Sequence, residues 1–318
     1  MDGTTISLRH NLISLPGGAY KNTALYDLEG RRVDDTNIVV TPPDHPIFAK
    51  EYARAPERVE VPQDLDVVED EVLYIGVARD HYGHFLLDSM SRMWAAVETD
   101  KTCVFLGADD VRGEYYDTIM DCLKLRLLSP TRPTLYRKIW VPEPSLTNNT
   151  IRPNADLAHL TVTERLHGGT SGDWDQPIYL SRLGFRSKAR VAPMDRDAEE
   201  TLELKLAASG YRVVRPETLP FAQQVALFNE CPTIVGLLGS AFHTAMFTRK
   251  TYAGRFALLT FRPERKKGRY GLIDSIKGYS AFYIECCTFD RENSVIEIDL
   301  DKAIDGLASR GFLPPSPQ

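Results

Sequence analysis

From Glu71 onward, short apolar runs alternate with amphipathic stretches, and this alternation restricts the fold more than any other feature of the chain. Val72–Ala78, Thr102–Leu106 and Lys138–Val141 read as buried strands. Gly83–Glu98 and Glu114–Leu128 read as the helices between them. A second series follows, with strands at Ile178–Ser181, Tyr211–Val214, Thr233–Gly236 and Phe256–Thr260. Its helices are expected at Asp195–Ser209, Phe221–Asn229 and Ser240–Phe247. Strands that alternate with helices imply parallel sheets covered on both faces. The segment 168–177, rich in Gly, Ser and Asp, separates the two series and reads as a linker. Two domains are therefore expected, 1–168 and 169–318, of ordinary size for a chain of 318 residues. Residues 1–70, rich in Pro, Asp and Arg, read as mostly irregular, with a short strand candidate at Asn37–Thr41; the tail from Leu313 reads as disordered.

Composition excludes several classes. A net charge of −6 argues against a general nucleic-acid footprint. No apolar run reaches the ~18 residues of a spanning helix, and no secretory leader pattern opens the sequence. The cysteines Cys103, Cys122, Cys231, Cys286 and Cys287 are odd in number and lack CxxC spacing, which suits a reduced, cytoplasmic compartment. No HExxH and no GxxxxGK[ST] occurs. Asp34-Asp35 and Asp109-Asp110 are adjacent pairs, and Asp64-x-Asp66 sits in an expected loop, so none offers a metal-ready DxD.

Three segments carry candidate chemistry. In the first, His81–Trp94, an apolar helix face is formed by Leu86, Leu87, Met90, Met93 and Trp94. His84 and Asp88, four apart, share a face where an imidazole and a carboxylate could move a proton. The alternative is a surface pair that suits the helix dipole. In the second, Thr233–Thr244, a strand ends at a glycine, and Gly239 precedes Ser240, a residue able to cap a helix. Amide groups there would favour a phosphate that His243 could also reach; the alternative is an ordinary tight turn. In the third, Arg182, Arg186, Lys188 and Arg190 follow a strand end, where open α/β sheets bind ligands. Arginine suits a diphosphate, and the alternative is a solvated basic loop. A further run, Arg262, Arg265, Lys266, Lys267 and Arg269, reads as solvated, with attraction to an anionic membrane or substrate as the minority view.

Four pieces in order carry a family resemblance: GHFLLDSMSRMW at 83–94, YLSR at 179–182 with the later Arg190, RPETLPFAQQVALF at 215–228, and TIVGLLGSAFHTAMF at 233–247. Together they resemble glycosyltransferase family 61, of the small bacterial type associated with capsular polysaccharide biosynthesis, over roughly Val72 to Ile284. The resemblance implies an α/β, GT-B-like architecture, with two Rossmann-like domains whose parallel sheets face a cleft. It implies transfer of a hexose or pentose, with inversion, from a nucleotide-sugar, usually UDP-linked, to a glycan or lipid-linked glycan acceptor. That places the enzyme in the cytoplasm, with the inner face of the membrane as a place of peripheral association. The HxxxD piece carries onto Asp88 as base and His84 beside it. The donor pieces carry onto Arg182, Arg190, Gly239 and Ser240, and the Pro-Glu piece onto Glu217 at a ribose. Leu238 stands where family members have an imidazole before the glycine, so His243 would substitute from the next turn. The Asn common near Thr244 and the Asn-Glu pair after the second arginine are also missing. Fixed cations stabilise a leaving diphosphate as a metal does elsewhere, so neither a metal nor a cofactor is expected. Two alternatives stay open: a non-catalytic carbohydrate- or nucleotide-binding homologue, motivated by the altered glycine turn, and a phosphotransferase or nucleotide-using ligase on a Rossmann-like core.

Overall fold

The computed structural model describes residues 5–16, 24–36, 55–97, 99–147, 150–166, 173–184, 195–261, 268–278, 280–290 and 295–313. The strand candidate 37–41, residues 168–172 of the 168–177 linker, Arg186, Lys188, Arg190, the run 262–267 and the tail beyond Leu313 lie outside the described residues. The chain forms two compact units, Met1–Arg165 and Leu166–Gln318.

The first unit is built on a six-stranded sheet. Its strands are β1 (Ile6–Ser14), β2 (Leu25–Tyr26), β3 (Asp66–Val77), β4 (Thr102–Leu106), β5 (Leu127–Leu128) and β6 (Thr134–Pro142), in the spatial order β2-β1-β6-β3-β4-β5. β6, β3, β4 and β5 run parallel, as the alternation predicts. β1 runs antiparallel to β6 and β2 antiparallel to β1, so the sheet is mixed rather than wholly parallel. β1 and β2 are strands that the reading of residues 1–70 did not include. β1 has Arg9, His10 and Asn11 at its centre, and Asn11 turns to a positive φ of 54°, which breaks the apolar alternation. Leu12, Tyr74, Val104, Tyr136 and Ile139 pack one core cluster on this sheet.

The helices are α1 (Tyr82–Leu87), α2 (Glu114–Leu123) and α3 (Leu157–Leu166). The sequence predicts one helix over 83–98; instead α1 stops at Leu87 and the chain tightens into a 3-10 helix, Ser89–Ala96. Serine side chains compete with the helical ladder here. Ser89 Oγ accepts the amide of Arg79 at 3.1 Å, and Ser91 Oγ donates to the carbonyl of Asp88 at 2.6 Å. The apolar face survives the change: Leu86, Met90 and Met93 are buried. Likewise α2 ends five residues early, because Lys124 takes a left-handed φ of 55° before the short β5.

The second unit holds β7 (Ile178–Leu180), α4 (Arg196–Ala208), β8 (Arg212–Val214), α5 (Phe221–Glu230), β9 (Thr233–Leu237) and β10 (Arg255–Thr260). Then follow α6 (Arg269–Lys277), β11 (Phe282–Glu285), β12 (Cys287–Asp290), β13 (Val295–Ile298) and α7 (Leu300–Ser309). β8, β7, β9, β10 and β11 form a parallel sheet in that spatial order, and β12 and β13 form a separate antiparallel pair. Alternate strand residues face opposite sides. Val235, Leu237, Ala257 and Leu259 pack with Leu202 and Leu206 of α4 and with Ala303 and Leu307 of α7. On the other side Phe228 of α5 meets Phe256 at 5.8 Å and Phe242 at 6.1 Å.

Each sheet has a point where the strand order reverses. In the first unit the chain leaves β3 toward β4 and later returns to β6 on the other side of β3. In the second it leaves β7 toward β8 and returns to β9 on the other side of β7. Open α/β sheets bind ligands beyond the carboxyl ends of strands at such a reversal.

Candidate functional site

Beyond the carboxyl end of β3 the chain runs Ala78-Arg79-Asp80-His81 into α1. A register shift in β3 between Tyr74 and Gly76, with Gly76 at φ +108°, lies just before this turn. Such bulges re-aim the side chains beside them. His84 Nδ1 lies 2.9 Å from Asp88 Oδ2, and Arg79 Nη1 approaches the same oxygen at 3.3 Å. Arg79 is fully buried and the Asp88 side chain is only 14% exposed, so the guanidinium balances the carboxylate where little water can. The His81 ring lies 4.8 Å from that of His84. Burial, then the nearby His84 and Arg79, pushes the His81 imidazole down to about 4, which keeps it neutral near pH 7.

The surroundings hold this cluster from three directions. His159 of α3, itself buried, meets the carbonyl of Leu86 through Nε2 at 2.8 Å. Arg92, a buried residue of the 3-10 helix, donates to the carbonyls of Pro142 and Asp35. Ser145 donates to the carbonyl of Ser91 through its amide at 2.7 Å. The pair His84–Asp88 was legible as HxxxD spacing. Arg79 and His81 were not, because one precedes the helix and the other caps it.

In the second unit Arg182 lies two residues past β7, and Gly239 two residues past β9. Leu180 and Gly236 are direct register partners, so the two chain exits are neighbours at the strand reversal. The Glu217 carboxylate lies against Gly184, in space that a side chain at 184 would occupy. Leu183, Gly184, Arg196, Glu200 and Arg215 line an open pocket of about 570 Å³. Arg182 and Glu217 are thus drawn to one region, and Gly239 and Ser240 to the neighbouring strand end.

Other expected features take a different form. Ser240 makes no capping bond; Gly239 is the N-cap of a 3-10 helix, Ser240–Phe247. Gly239 has an extended backbone at φ −171°, which any residue adopts. The glycine that packing requires is Gly236, whose Cβ would lie 3.0 Å from Leu180 Cβ and 3.1 Å from Phe242 Cε2. His243 stacks on Tyr270 of α6 with ring centroids 4.9 Å apart, and both its ring nitrogens are buried. Arg190 lies outside the described residues. Among the described residues no three of His, Cys, Asp and Glu are grouped to hold a metal ion. No described helix is long and apolar enough to cross a membrane.

The sequence model of the family described as Glycosyltransferase 61 matches residues 82–253, more than half of the chain. The match takes in His84, Asp88, Arg182, Glu217, Gly239, Ser240 and His243. Among the curated proteins none matches the chain.

Proposed function

The chain belongs to glycosyltransferase family 61, and from that premise we propose that it moves a sugar, with inversion, from a UDP-linked donor to the hydroxyl of a glycan or glycolipid acceptor. A role in surface polysaccharide synthesis and the GT-B arrangement are parts of this proposal, drawn from the family resemblance. The observation that carries it is the pairing of chemistry with topology. A histidine–carboxylate pair stands at the strand reversal of the first sheet, and an arginine and a glycine turn stand at that of the second.

The reaction forms a bond between the acceptor oxygen and the anomeric carbon, and breaks the bond from that carbon to the donor phosphate oxygen. The acceptor proton goes to the His84–Asp88 pair. With Nδ1–H donated to Asp88, the lone pair of a neutral His84 ring lies on Nε2. The geometry therefore favours His84 as proton acceptor and Asp88 as the group that orients it and stabilises the imidazolium. The resemblance implies Asp88 itself as the base; the contacts of its Oδ2 with His84 and Arg79 support the orienting role proposed here. Arg182 and the amides near Gly239 stabilise the charge that grows on the leaving diphosphate, in the place a metal takes elsewhere.

The test is a panel of nucleotide-sugars scored by thermal stabilisation, because a ligand that binds the folded state raises its apparent stability. Donors that stabilise are then incubated with glycan acceptors. Transfer with an inverted anomeric centre is the expected result. Stabilisation without transfer or donor hydrolysis would instead support a non-catalytic nucleotide-binding homologue. No stabilisation by any nucleotide-sugar would overturn the donor reading.

A further inference from the structure

α4 begins in an acidic run, Asp195-Arg196-Asp197-Ala198-Glu199-Glu200, which reads as a solvated first turn suited to the helix dipole. Asp195 behaves as that reading predicts and caps the helix, accepting the amide of Ala198 at 3.2 Å. Glu199 does not. It has no exposed surface, and its Oε1 accepts the backbone amide of Arg182 at 2.6 Å. One turn further on, Glu203 accepts a hydrogen bond from Ser181 Oγ and faces Arg215 Nη2 at 3.9 Å. Ser181 Oγ in turn accepts the amide of Leu183 at 3.1 Å.

These contacts answer a need of the backbone. The sheet pairing of β7 ends at Leu180, which pairs with Val214 on one side and Gly236 on the other. The amide of Arg182 is beyond this ladder, and a buried amide without an acceptor is costly. Glu199 supplies the acceptor at a cost of its own. Burial pushes its carboxyl above the usual carboxylate range, against the opposing influence of Arg182; Glu203 pushes it the same way as burial, and Tyr179 opposes. A buried carboxyl is a poor source of stability, since an apolar side chain of similar volume would pack there at less cost. What the carboxyl adds is a fixed position for the residue it holds.

We propose that Glu199 is a positioning residue that fixes the chain at Arg182, so that the arginine meets the donor diphosphate at the carboxyl end of β7. This role rests on the donor-site reading given above. Glu203 and Ser181 brace the same turn through the Ser181 hydroxyl. Three consecutive residues, 181–183, are thereby tied to one helix face rather than left as a free loop.

The experiment compares the full-length wild type with Glu199→Leu and Glu199→Gln. It measures amide hydrogen exchange at Arg182, and UDP and GDP binding by calorimetry. In Glu199→Leu the Arg182 amide is expected to exchange faster, and nucleotide affinity to fall by about tenfold, the scale of one charge-assisted hydrogen bond. Glu199→Gln keeps an acceptor oxygen and is expected to restore most of both. If Glu199→Leu does not fold, Glu199→Met, closer to the native shape and also without an acceptor oxygen, takes its place in both measurements. Faster exchange at Arg182 with unchanged affinity would overturn the role of Glu199 and leave the donor site standing. Unchanged exchange in a folded Glu199→Leu protein would also overturn that role. A wild type that binds neither nucleotide would overturn the donor reading and the positioning role together.

Discussion

His84 Nδ1 and Asp88 Oδ2 stand 2.9 Å apart across the last turn of α1, in a site where Arg79 is fully buried and the carboxylate nearly so. The contact fixes which ring nitrogen carries the proton, and so which can accept one. Asp88→Asn keeps the shape but presents an amide that favours the wrong tautomer. Turnover in this variant is expected to fall by roughly 10²–10⁴-fold, the usual range for a general acid–base group. Nucleotide affinity should stay at the wild-type level, because the diphosphate is assigned to the other unit. Initial rates and UDP calorimetry on one preparation check both. Near-normal turnover would remove the pair from the mechanism.

Arg182→Ala should weaken UDP binding by about 1.5–3 kcal/mol, the value of a hydrogen bond to a charged group. Arg182→Lys should restore only part of it, since an ammonium cannot make the paired contacts of a guanidinium with a diphosphate. Calorimetry on the two variants measures this. Unchanged affinity in Arg182→Ala would move the diphosphate elsewhere.

The two arginine–carboxylate settings show what the sequence could and could not reveal. His84, Asp88 and Arg182 were legible because each lies in a local pattern: helical spacing for the pair, a strand exit for the arginine. Arg79 and Glu199 were not, because their roles depend on partners 9 and 17 residues away. The parallel core strands were legible as apolar runs between amphipathic stretches. β1 was hidden by its central Arg9-His10-Asn11 and by the positive φ at Asn11. β11, β12 and β13 follow one another in chain order without an amphipathic stretch between them, so the alternation that marked the other strands was missing there. The turn from helix to 3-10 geometry after Leu87 depends on hydroxyl bonds at Ser89 and Ser91, which hydrophobic spacing does not encode.

Gly236 and Gly239 should respond differently to substitution. Gly236→Ala puts a methyl group into contacts of 3.0–3.1 Å with Leu180 and Phe242. The expected cost is about 1–3 kcal/mol, as for overpacking in a close-packed core. At Gly239 the nearest atom to an added Cβ is the Leu237 carbonyl oxygen at 3.6 Å, an ordinary contact, and the backbone is extended. Gly239→Ala should therefore leave stability nearly unchanged. Gly239→Val should fold as well, yet lose nucleotide affinity if a phosphate approaches the backbone there. Denaturant unfolding of the two alanine variants, with UDP binding by Gly239→Val, separates packing from ligand approach. Equal destabilisation at both glycines would contradict this assignment.

His81 gives the protein a predictable weakness in acid. Its imidazole titrates at about 4 in the folded protein, against 6.5 for an unperturbed histidine, because burial disfavours the cation and His84 and Arg79 repel it. Between these values the unfolded chain binds the proton and the folded protein does not. Stability from this group is therefore complete above about pH 6.5 and falls as pH drops toward 4. Below that both states are protonated and the loss is complete. At 1.36 kcal/mol per pKa unit, a fall from 6.5 to about 4 makes the loss on the order of 3 kcal/mol. His81→Phe keeps a ring of similar size and removes the titration. Its stability relative to wild type should rise by that amount as pH falls from 6.5 to 4, and should not change between pH 7 and 8. Urea unfolding of the two proteins across this range measures the difference. A constant difference over the whole range would mean that His81 is not held neutral by the fold.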